Sequence, residues 1–183
     1  RMTPMLRCAC IGTRDDVILV DVGVRIDGYC ADITRTFPVH PDGQYTRAQQ
    51  LVLDAVRRLH AHGCKRVHDA VHTGATLSYG DIAQEVHTRL QDELHTLAAH
   101  GGVLDGDHAA LDTHYYCPHG LGHTVGLQVH DAPEAHELGA LRKGMVVTIE
   151  PGIYTSQMCV RWEDTVIVGE AVGRWLGRSS LRA

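Results

Sequence analysis

Four carboxylates of this chain stand in or beside apolar, strand-like runs. Asp21 closes Val17-Ile-Leu-Val20, Asp32 lies in the alternating stretch Cys30–Val39, Glu150 ends Met145–Ile149, and Glu163 sits within Val160–Val168. An isolated charge in such a setting costs several kcal/mol or more, so the chain can bury these groups only where cations or donors meet them. His123 adds an imidazole from a glycine-rich segment. The five side chains together form a set able to hold a pair of metal ions.

The same runs outline the fold. Val17–Val20, followed by Gly23 and Gly28, predicts a strand leading into a turn. The alternation of Cys30–Val39 puts Asp32, Thr34 and Thr36 on one face and Ile33, Arg35 and Phe37 on the other. A hairpin of these two strands brings Asp21 and Asp32 to one patch. Thr46–Gly63 predicts a helix with an apolar stripe (Leu51, Val52, Ala55, Val56, Leu59), a Thr46/Gln49 capping box and Gly63 as its stop. A second helix begins at the N-cap Ser78, with Asp81 completing a box and Leu77 and Ile82 a hydrophobic staple, and ends at Gly101-Gly102.

After a polar loop around Asp105–Thr113, the segment His114–Asp131 is too broken by glycine for a helix and predicts strand and loop. Gly144–Glu150 and Val160–Val168 each predict one further strand. Strands at both ends and two helices between them predict an α+β fold, an antiparallel sheet covered on one side, in a single domain spanning residues 1–183.

Composition narrows the function. Hydrophobic residues at 44% and charged residues at 21% describe a chain that folds. Seventeen basic against 22 acidic side chains, a net charge of −5, leave no basic footprint for phosphate backbones, so nucleic acid is not an expected partner. The apolar runs are too short to span a bilayer and no signal-type h-region opens the chain, which predicts no membrane and a cytoplasmic protein. Six cysteines without a C-x-x-C pair predict reduced thiols rather than a disulfide framework or zinc ribbon.

Blander readings stand beside the metal reading. Asp21 could pair with an arginine such as Arg35, Asp32 could cap a turn, and Arg161 and Glu163, two apart on one strand, could form an exposed ion pair. Cys117, His119 and His123 could gather a zinc ion, but a second compact ligand pair is missing and Gly120 and Gly122 oppose a helix carrying both histidines. Most of the fourteen histidines are expected to be solvated.

Taken together, VDVGVRIDGYCADITRTF, PHGLGHTVGLQVHD, GMVVTIEPGIY and VRWEDTVIV, running from about Val17 to Val168, resemble the pita-bread metallopeptidases of the aminopeptidase P and prolidase branch. The resemblance implies a pita-bread fold with a curved antiparallel sheet and helices on its outer face. It implies that Asp21 chelates one metal, that His123 and Glu150 bind a second, and that Asp32 and Glu163 bridge both. The ions implied are two divalent cations, Mn²⁺ first with Co²⁺ or Zn²⁺ as alternatives. They share a hydroxide nucleophile, with Glu150 as general base and proton shuttle in Xaa-Pro hydrolysis. His119 and His130 would donate to the substrate carbonyl and the oxyanion, and Arg161 would orient neighbouring groups or a substrate carboxylate. Tyr116 and Tyr154 are candidate walls of a proline pocket. The substrate would be a proline-containing peptide or dipeptide.

The family's catalytic domain begins with further helices, a strand and another active-site histidine, whereas only twenty residues precede Asp21 here. The expectation is a domain truncated at its N-terminus, prone to self-associate as a dimer through an uncovered sheet face. A catalytically weak metal-binding module for peptide or protein recognition is the alternative to an enzyme. A metal-free relative is disfavoured by the complete five-residue set.

Overall fold

The computed structural model describes residues 5–8, 16–72, 76–105 and 111–169, with side chains described from residue 16 onward. Part of the expected loop around Asp105–Thr113, and most of the stretch before Asp16, lie outside them. Strands β1 (Met5–Cys8), β2 (Val17–Ile26), β3 (Tyr29–Pro38), β4 (Val146–Ile149) and β7 (Glu163–Ile167) form one antiparallel sheet in the order β1-β2-β3-β7-β4. Strands β5 (Gly152–Tyr154) and β6 (Cys159–Arg161) make a separate antiparallel pair. Helices α1 (Arg47–Asp69) and α2 (Tyr79–Ala98) follow the hairpin, and α3 (Thr113–Tyr116) is a single turn. No helix among the described residues is long and apolar enough to cross a membrane. The antiparallel α+β arrangement expected from the sequence holds.

Strand β2 is longer than Val17–Val20 suggests. It continues through Asp21 and Gly23 to Ile26 and turns at Asp27-Gly28, whose φ angles of 51° and 92° make a two-residue turn of the type that matches strand twist. Gly23 is not a turn residue. It pairs with Asp32, and a Cβ there would lie 3.2 Å from the Ala31 carbonyl oxygen.

Both capping boxes form, Thr46 with Gln49 and Ser78 with Asp81. Helix α1, however, runs past Gly63 to Asp69. Gly63 is a contact rather than a stop: a Cβ there would sit 2.9 Å from Ile149 Cγ2 and 3.6 Å from Val86 Cγ2, so its absence lets α1 lie close on β4 and α2. Val52, Val56, Leu59, Val67, Ile82, Leu94, Val147 and Ile149 fill that core.

The run Val160–Val168 breaks at Trp162 into β6 and β7, which belong to different sheets. Trp162 N–H donates to Pro151 O, and Arg161 exchanges hydrogen bonds with the Thr36 hydroxyl, donating its N–H at 3.1 Å and accepting at its carbonyl at 3.0 Å. Directly paired residues of antiparallel strands share a face. The register Asp21↔Thr34, Gly23↔Asp32, Thr34↔Glu163 and Thr148↔Thr165 therefore collects acids and hydroxyls on one side of the sheet, while Arg35, Asp164 and Ile149 point to the helix side.

Candidate metal centre

Hydroxyls hold the acids in place. Thr34 Oγ1 donates to Glu163 Oε2 at 2.5 Å, and Thr148 Oγ1 donates to Glu150 Oε1 at 3.2 Å. Thr165 Oγ1 accepts from Asp32 N–H at 2.9 Å and donates to Asp32 O at 2.8 Å. The 121–125 loop is laced to β4: Glu150 N–H donates to Leu121 O, Thr148 N–H to His123 O, and His123 N–H to Thr148 Oγ1. That lacing needs Gly122, where a Cβ would fall 2.4 Å from Thr148 Oγ1 and 2.6 Å from the Tyr79 hydroxyl.

One ligand atom from each of Asp32, His123 and Glu163 lies within 4.8 Å of the others, the only such set of His, Cys, Asp and Glu among the described residues. His123 Nδ1 lies 3.1 Å from Thr124 O; a carbonyl only accepts, so Nδ1 carries the proton and Nε2 presents its lone pair. Nε2 sits 3.7 Å from Asp32 Oδ2 and 3.6 Å from Glu150 Oε1. Asp21 adjoins Asp32, but its Oδ2 accepts from Arg161 Nη2 at 2.6 Å. The pairing of Asp21 with an arginine is thus realised through Arg161, while Arg35 pairs with Asp164 at 2.7 Å. Arg161 and Glu163 do not form the ion pair that two-residue spacing suggested, because the break at Trp162 separates their strands.

Mutual repulsion marks the cluster. Burial, then the charges of Glu150 and Asp32, push the Glu163 carboxyl up to about 9. Burial and Asp21 raise Asp32. Burial raises Glu150 against the opposing pull of His119 and Arg161. A buried group of carboxylates that resist ionising together, with a lone pair of imidazole among them, fits divalent cations: added positive charge removes the penalty, and the hard oxygens and one borderline nitrogen suit such ions.

The remaining candidates form a second line. His119 Nδ1–H donates to Gly120 O at 2.8 Å, so Nε2 accepts from the Tyr154 hydroxyl at 2.6 Å, which in turn accepts from Arg161 Nη1 at 3.2 Å. A continuous hydrogen-bonded chain thus joins Asp21, Arg161, Tyr154 and His119. Neither nitrogen of His119 is left to donate toward the acids, so the donor role expected for it requires a proton on Nε2 as well as an opened Tyr154 bond. Tyr154, held at about 12 by burial, keeps its proton. Its part in this chain went unread in the sequence, as did the hydroxyls of Thr34, Thr148 and Thr165; the recurring two-residue spacing of threonine from Asp32, Glu150 and Glu163 was the available signal. Tyr116 is buried with its hydroxyl on Asp105 O, away from the acids. A cavity of about 510 Å³ lies between α2 and the 117–121 loop, lined by His87, Leu90, Cys117 and His119 among others, and holds none of the five expected ligands.

A family model described as "Metallopeptidase family M24" matches residues 9–170. Intermediate cleaving peptidase 55 of Schizosaccharomyces pombe is 32% identical over 170 residues, covering 85% of this chain and 32% of that protein. The Xaa-Pro dipeptidase of Marinobacter nauticus is 34% identical over 153 residues, covering 75% of this chain and 32% of that protein. A solved structure of a variant Escherichia coli aminopeptidase P superposes with a TM-score of 0.71 at 30% identity, covering 88% of this chain and 38% of that one. The chain spans about a third of the length of the curated relatives it matches.

Proposed function

This chain belongs to metallopeptidase family M24, and from that premise we propose that it contributes the metal centre of a peptidase hydrolysing Xaa-Pro bonds. The carrying observation is the convergence of Asp32, His123 and Glu163 within 4.8 Å, with Glu150 beside them. Asp32, Glu163, His123 and Glu150 would hold the ions together with Asp21, whose Oδ2 is oriented by Arg161. The names of the relatives supply the substrate class, a peptide or dipeptide with proline after the scissile bond.

Two divalent cations, Mn²⁺ by preference, would supply Lewis acidity and bring water into the range where it ionises near neutral pH. The residues do the rest. Glu150, whose basicity burial raises, would take a proton and return it to the departing proline nitrogen. His130 stands as the donor to a developing oxyanion. Arg161 and Tyr154 hold Asp21 and His119 in register.

A cytoplasmic setting accords with the four described free thiols, Cys30, Cys64, Cys117 and Cys159. Self-association into a dimer is part of the same proposal, read by sedimentation velocity. The deciding assay loads the protein with Mn²⁺ and follows cleavage of a proline dipeptide and a longer Xaa-Pro peptide. Turnover abolished by Glu150→Ala is the expected result; cleavage of the dipeptide alone indicates a dipeptidase. Stoichiometric metal binding without turnover on either substrate overturns the enzymatic reading and supports the binding module instead.

A further inference from the structure

Behind the acids, on the helix side of the sheet, lies a half-buried guanidinium that the proposed reaction does not use. Arg35 Nη1 donates to Thr34 O at 2.8 Å and to Glu163 O at 2.5 Å, and Nη2 donates to Asp164 Oδ1 at 2.7 Å. We propose that Arg35 is a positioning residue for the metal centre: its guanidinium ties β3 to β7 from behind and so sets the separation of Asp32 and Glu163. The inference rests on reading these acids as metal ligands.

The joint it spans is short. Strands β3 and β7 pair at Ile33↔Asp164 and Thr34↔Glu163, so the backbone ladder alone leaves the relative tilt of the two strands weakly fixed. Asp32 and Glu163 sit on opposite sides of that joint, and their spacing is the quantity a pair of ions would read. One planar group bonded to both backbones fixes it from the rear, as the Thr34 and Thr165 hydroxyls do from the front.

Arg35 is itself held. Its Cζ lies 4.2 Å over the Trp162 ring, and Asp164, 3% exposed, meets His60 Nε2 at 3.1 Å through its other oxygen. Trp162 is also the residue where β6 ends and β7 is about to begin. A lysine could keep the charge opposite Asp164, but an ammonium lacks the planar fork that reaches all three acceptors at once.

The experiment titrates Mn²⁺ by calorimetry into parent, R35K, R35A and L94A at a temperature where circular dichroism shows each folded. Leu94, fully buried on α2, which packs chiefly against α1 and α3, serves as a destabilised control. The expected result is an affinity loss of roughly 10- to 100-fold in R35K and R35A, with L94A close to parent. R35K binding as tightly as parent overturns the proposal, as does an equal loss in L94A. If R35A does not fold, R35K decides, since it keeps the charge that Asp164 requires. A parent that binds no Mn²⁺ overturns the metal-centre reading as well, so the two failures are separable.

Discussion

The imidazoles of His123 and His130 lie face to face, ring centroids 3.8 Å apart and 13° between planes. With Nδ1 of His123 bonded to Thr124 O, the stack fixes the plane in which its Nε2 lone pair points. Burial first, then His123, depresses the pKa of His130, so at neutral pH it is uncharged and does not oppose a cation on its neighbour. His130→Ala is expected to keep metal stoichiometry while lowering turnover by roughly 100-fold. Elemental analysis beside steady-state kinetics checks this; metal lost together with rate would assign the ring to packing rather than to proton donation.

Tyr154→Phe removes the hydroxyl shared by His119 and Arg161. Both side chains lose a fixed partner, and kcat/KM on a proline peptide is expected to fall roughly 10- to 100-fold with metal content unchanged. An unaltered rate would show that the chain from Asp21 to His119 has no bearing on turnover.

Glu163 gives the metal-free protein a pH dependence with a definite sign. An acid whose folded-state pKa stands above its unfolded value binds more protons folded than unfolded, so its contribution is intact below about 4.5 and is lost as pH rises toward about 9. In chelator, melting temperature is expected to fall across that window, by up to about 1.4 kcal/mol of stability per pH unit. Excess Mn²⁺ should flatten the trend. Glu163→Gln should flatten it without metal and abolish stabilisation by Mn²⁺. A metal-free melting temperature that rises with pH contradicts mutual repulsion among these acids.

Two glycines test close approach. Gly63→Ala adds a methyl 2.9 Å from Ile149 Cγ2; the overpacking cost of about 1–3 kcal/mol is expected to outweigh the gain in helix propensity of about 1 kcal/mol, lowering the urea midpoint. Gly122→Ala should displace the His123 loop from Thr148 and weaken Mn²⁺ binding with helix content retained. Calorimetry and far-UV circular dichroism read the two effects apart.

Local signals carried most of the architecture. Capping boxes at Thr46 and Ser78 depend on residues three apart, and the alternation around Asp32 depends on neighbours two apart, so both were legible before folding was considered. What escaped depends on distant partners. Gly63 reads as a helix stop until Ile149 is packed against it, and Val160–Val168 reads as one strand until Thr36 and Pro151 capture the backbone at Arg161 and Trp162. The threonine hydroxyls and Tyr154 carry no local mark of function, because a hydroxyl acquires its role only from the acceptor it meets. Acids in apolar runs are improbable without a counter-charge, which marks Asp21 as a candidate ligand but carries no sign of its bond to Arg161.

The Asp27-Gly28 turn joins Ile26 to Tyr29 as the last pair of the hairpin, and every opposition below it is counted from that point. A side chain's direction reverses with each residue along a strand. Adding one residue at this exposed tip would therefore threaten to invert either Asp21 or Asp32 through the plane of the sheet, presenting an acid to the apolar underside and a valine or isoleucine to the ions. Chemistry in the middle of the domain is indexed from its rim.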